Sequence, residues 1–106
     1  MKNSNSELGL RLRNLRTQKK LTLHRVSKEV DIDSPMLSKI ERGERLPTID
    51  QLERLCKFFK VADADLKVMH TAEKIIKEYG VNDTTYDAVR LVEEQITPYI
   101  TKRNAK

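Results

Sequence analysis

Along this chain apolar residues return every three or four positions, the spacing that lines one face of a helix. Leu8, Leu12 and Leu15 form the inner stripe of a first helix, capped by Ser6 and running to about Lys20. Thr22 has the side chain to accept a hydrogen bond from an unpaired N–H one turn on, and Val26 and Val30 follow four apart, so a second helix spans 23–30. Asp31 tolerates the left-handed backbone that a tight turn needs. Asp33 then caps a third helix, with Pro35 in its first turn, where the missing N–H costs nothing. Leu37 and Ile40 face inward, Gly43 ends the helix, and Pro47 forbids its continuation.

Thr48 caps a fourth helix, to about Lys60, whose stripe is Ile49, Leu52, Leu55, Cys56 and Phe59. A fifth starts at Ala62 or Asp63 and reaches Tyr79, with Leu66, Met69, Ala72, Ile76 and Tyr79 on one face and Gly80 as its stop. Asn82 or Asp83 caps a last helix, from Thr84 to about Thr97, with Ala88, Val89, Val92 and Ile96 inward and Tyr99 or Ile100 beyond. Pro98 should kink or end it. Residues 1–5 and the basic tail after Ile100 read as loose ends. The pattern predicts an all-α chain with one compact unit at 1–66 and a helical extension at 67–106. The extension has two amphipathic helices and little to cover them. They either fold back or pair between two copies, and pairing is favoured.

The stretch 21–47 organises the rest. Its two short helices join through a tight turn, and the second has an apolar back and a polar, small-residue front. Such a helix fits the major groove of DNA; an ordinary surface helix of a bundle would look much the same. Leu12, Leu15, Arg16, Leu21, Thr22, Val26, Ser27, Ile32, Ser38, Ile40, Glu41, Arg42, Gly43, Pro47, Leu52 and Leu55 resemble the pattern of the lambda-repressor and Cro type helix-turn-helix domain, the Xre family. The run SKIERGERLP at 38–47 is the most specific part, and the likeness covers residues 8–66.

The resemblance implies a five-helix lambda-repressor-like domain and roles for particular residues. Ser34, Pro35, Ser38 and Lys39 stand where base edges are read, with Met36 or Pro35 available to a thymine methyl. Arg42 and Arg45 stand near phosphates, joined by Arg25 and Thr22. Arg16 and Glu41 match a pair that ties the first helix to the third. The chain departs from the pattern at Leu23, where the family has Gln, at Ser27, usually Ala, and at Asp31, usually Gly.

Charge adds a little. The net charge is +5 over 106 residues, with a pI near 9.4. Fourteen Lys and Arg against ten acids leave +4 in 1–66, and seven against six leave +1 in 67–106. The excess therefore sits where a polyanion partner would bind. Cys56, the lone cysteine, excludes an internal disulfide and reads as a core thiol. His24 and His70 are isolated, and no HExxH, CxxC, GxSxG or phosphate-binding loop occurs, so neither an enzyme nor a bound cofactor is expected. The N-terminus has no signal-peptide run and no stretch is apolar enough to span a membrane, which points to the cytoplasm.

The expectation is a sequence-specific DNA-binding transcriptional regulator, a homodimeric repressor reading a palindromic operator through the helix at 34–42. Met69, Ile76, Tyr79, Val89, Val92 and Ile96 are the candidates for dimerisation. The alternative is an adaptor or antitoxin whose C-terminal helices hold a protein partner. RNA binding is weaker still, since no aromatic stacking surface is visible.

Overall fold

A computed structural model describes residues 6–104 and the side chains of 6–101; the expectations for residues 1–5 and for the final residues of the tail lie outside it. Among the described residues the structure is all helical: α1 (Glu7–Gln18), α2 (Leu23–Val30), α3 (Ser34–Glu41), α4 (Ile49–Phe59), α5 (Ala64–Tyr79) and α6 (Asp83–Asn104). Two compact units divide the chain, Met1–Lys74 and Ile75–Lys106.

The caps act where the residue types place them. Oγ of Ser6 accepts from Gly9 N–H, Oγ1 of Thr22 from Arg25 N–H, and Oδ1 of Asp33 from Met36 N–H. Thr48 and Gln51 bond reciprocally as a capping box on α4. The far ends share one device. Lys20, Asp31, Gly43 and Lys60 all take positive φ, between 57° and 78°, and each reverses the chain just past a helix. At α1 this stops the helix at Gln18, short of Lys20: Lys20 N–H bonds Thr17 carbonyl and Leu21 N–H bonds Arg16 carbonyl, closing the turn.

In the first unit α1 packs on α3, α2 on α3, and α2 on α4. The core between them holds Leu8, Leu12, Val26, Val30, Ile32, Leu37, Ile40, Leu52, Leu55, Cys56, Phe59 and Leu66. Leu15 and Met69 pack partly against it. Ile49, expected in the α4 stripe, is 44% exposed; it is the first residue of α4 and has no preceding turn to cover it.

The early part of α5 is tied to this core by polar contacts as well as by Leu66. His70, buried, donates from Nε2 to the Pro47 carbonyl at 2.7 Å. Oε2 of Glu73 accepts from Leu8 N–H at 3.0 Å, satisfying an open donor in the first turn of α1. In the second unit Asn82 is the residue that caps α6, accepting from Thr85 N–H, while its Nδ2 donates to the Tyr79 carbonyl at the end of α5. The last helix does not end at Thr97. It runs through Pro98 to Asn104, leaving the Glu94 carbonyl without its usual i+4 donor. Glu94 is exposed, so water can replace that bond.

Candidate nucleic-acid interface

The third helix is held from behind. Leu37 and Ile40 are each 1% exposed. Gly9 of α1 lies so close that a Cβ there would stand 2.5 Å from the Ile40 carbonyl oxygen and 2.6 Å from that of Glu41. Only glycine lets the two backbones meet at that distance.

Arg16 locks the same junction. Its Nε and Nη2 donate to the two carboxylate oxygens of Glu41 at 2.8 and 3.0 Å, and Nη1 donates to the Leu21 carbonyl at 2.9 Å. The pair is largely covered, at 14% and 7% side-chain exposure. The hydrogen bond to Glu41 raises the Arg16 pKa further, against the opposing effect of burial. One guanidinium thus fixes both the end of α3 and the entry to α2.

The second helix is held at its far end by Arg54 of α4. Nη1 donates to the Val30 and Asp31 carbonyls at 2.6 and 3.0 Å, and Nε donates to Asp50 at 3.1 Å. These are carbonyls that the end of α2 cannot satisfy itself. Sequence reading missed Gly9, Arg54 and Glu73 alike, since each acts on a residue distant in the chain.

The outward side of α3 carries the remaining polar residues. Pro35 and Lys39 are exposed, and Ser34 and Ser38 are half-buried. Met36 is also half-buried, packed partly against the core, so less of it faces outward than its position in the pattern suggests. Past the helix end Arg45 is exposed. On α2, Thr22 is exposed with its hydroxyl oxygen engaged in capping, and Arg25 is exposed with Glu29 3.5 Å away.

Arg42 has closer company. Its Nε and Nη2 donate to Glu44 at 2.8 and 3.2 Å, and its Nη1 donates to the Ser38 hydroxyl. The hydrogen bond from Arg42 holds the Glu44 carboxyl below its usual range, with help from the charges of Arg42 and Lys39, although desolvation opposes the shift. The Arg42 pKa rises for the reciprocal reason. Glu44 was not a sequence-level candidate. Its position two residues after Arg42, across Gly43, was the only available signal.

The site is therefore a short helix with a rigid apolar back and a polar front flanked by cations, suited to a polyanion with readable edges. Among the described residues no group of three or more His, Cys, Asp or Glu could hold a metal ion. Among the same residues no helix is long and apolar enough to cross a membrane.

The dimerisation candidates fall on either side of the division between units. Met69 packs partly against the core of the first. Ile76, Tyr79, Val89, Val92 and Ile96, in the second, are between 45% and 66% exposed.

Known proteins share the family and the fold. The sequence profile of the helix-turn-helix domain family matches residues 7–68. The fold is similar to the crystal structure of the clp gene regulator ClgR from Corynebacterium glutamicum, with a TM-score of 0.56 and 21% sequence identity. That likeness covers 89% of this chain and 95% of the other. No curated protein sequence matches the chain significantly.

Proposed function

The chain belongs to the helix-turn-helix domain family, and from that premise we propose that it is a sequence-specific transcriptional regulator of the lambda-repressor and Cro type, acting as a homodimeric repressor. The carrying observation is the mounting of α3. Its apolar side is clamped on α1 by Gly9 and by the Arg16–Glu41 pair, while Pro35 and Lys39 stay exposed. A helix so mounted can enter the major groove as a rigid body, with little ordering left to do on binding.

Base edges would be read by Lys39, Ser34 and Ser38, with Pro35 or Met36 against a thymine methyl. Arg45 and Arg25 would hold phosphates, and Thr22 would lie beside the backbone at the start of α2. ClgR is described as a gene regulator, which is in keeping with this reading. Two copies would present two such helices about 34 Å apart, one turn of DNA, to a palindromic operator. The pairing surface would draw on Ile76, Tyr79, Val89, Val92 and Ile96, whose exposure is costly unless another surface covers them.

Selection of bound oligonucleotides from a random pool tests the proposal. An inverted repeat with half-sites one turn apart is the expected product, bound by a dimer whose affinity falls steeply with salt. A chain that enriches no sequence, and is a monomer until a second protein is supplied, would instead be an adaptor or antitoxin using the same exposed apolar residues.

A further inference from the structure

The family pattern assigns Arg42 to the DNA backbone, but its surroundings point elsewhere. Gly43, at φ 78°, turns the chain back, and Glu44 N–H bonds the Lys39 carbonyl at 2.9 Å. That turn brings the Glu44 side chain alongside Arg42. A guanidinium has five N–H donors in a rigid plane. Here Glu44 takes two and the Ser38 hydroxyl takes one. Two remain for an acceptor outside the protein, on a group that its neighbours hold in one orientation.

Resting on the DNA-binding reading above, we propose that Glu44 is a positioning residue that makes Arg42 a reader of a base edge rather than a phosphate clamp. Paired with a carboxylate, the cation has little net charge to offer, so its approach to a phosphate releases few counterions. The carboxylate itself repels a phosphate brought to the same spot. A guanine edge is uncharged and presents two acceptors, O6 and N7, which match two directed donors. Glu44 thus raises discrimination in two ways. It orients Arg42 on the correct base, and it penalises complexes in which Arg42 merely grips the backbone. Because Arg42 keeps the Glu44 carboxyl below its ordinary range, the carboxylate stays ionised at neutral pH.

The test uses the full chain and the oligonucleotide pool described above, with wild type, Glu44→Gln, Arg42→Gln and the double variant. The three variants replace only exposed groups, and thermal melts verify that each is folded. Arg42→Gln should erase a guanine preference at one position of each half-site, on the order of tenfold, with the salt slope on non-cognate DNA unchanged. Glu44→Gln should weaken that same preference, tighten non-cognate binding and steepen the salt slope by about one per protomer. The loss of guanine preference under Glu44→Gln should vanish when Arg42 is already Gln, because no guanidinium is then left to orient. The proposal is overturned if Arg42→Gln lowers the slope by about one while leaving the base profile intact. It is equally overturned if Glu44→Gln acts alike with and without Arg42. A wild-type chain that selects no DNA at all would remove the DNA-binding reading itself, and this inference with it.

Discussion

Lys39 and Arg45 are both exposed cations near the C-terminal end of α3, but they are placed differently. Lys39 lies on the helix and Arg45 past its end. Lys39→Ala should relax base preference at one position. Arg45→Ala should weaken all sequences alike and reduce the salt slope by about one, both measured by fluorescence anisotropy across a salt series. Cys56 makes a different prediction. It is 3% exposed, and burial, with Asp63 nearby, pushes its thiol pKa up. An alkylating reagent should therefore label it only as fast as the first unit opens, so the labelling rate should rise with denaturant in step with loss of helical signal.

At the scale of elements, the junction of α1 with α3 decides how α3 is presented. In isolation, Gly9→Ala would favour helix by about 1 kcal/mol. In the folded chain the new Cβ meets two backbone carbonyls, which cannot rotate away as a flexible side chain could. The net effect should be a loss of about 2 kcal/mol or more, read as a lowered melting temperature. The helix stops suggest the opposite kind of change. Lys60 sits at φ 59° after α4, where a Cβ is strained. Lys60→Gly should add up to about 1 kcal/mol in denaturant titration. Pro98 shows where a local rule is too strict. Proline disfavours a helix interior, but α6 passes through it, because the carbonyl left unpaired can reach solvent.

For the whole molecule, the contrast between units is the main fact. The first buries a continuous core of large aliphatic side chains. The second leaves Val89, Val92, Ile96 and Tyr99 at 45% exposure or more. If two copies cover those residues, Ile96→Glu should shift the mass in sedimentation from dimer to monomer. It should also weaken operator binding at least tenfold while leaving the α3 contacts intact, since one recognition helix would then have to bind alone.

Much of this was legible without a structure. The starts of α1, α2 and α4 were readable because caps and apolar periodicity are set by residues within one turn of each other. The αL stop at Asp31 and the inward placement of Leu37 and Ile40 on α3 follow from the same local rules. What only the tertiary structure decided is which polar groups are already committed. Glu73 reaches Leu8 across 65 positions, and Arg54 reaches Val30 across 24. Gly9 is required by backbone carbonyls 31 and 32 residues away. Even the short-range Arg42–Glu44 pair depended on a turn that brings one side chain back to the other. Hydrogen-bond partners across such turns and separations are set by how helices are brought together, and the identity of a residue does not reveal which acceptor will lie within its reach.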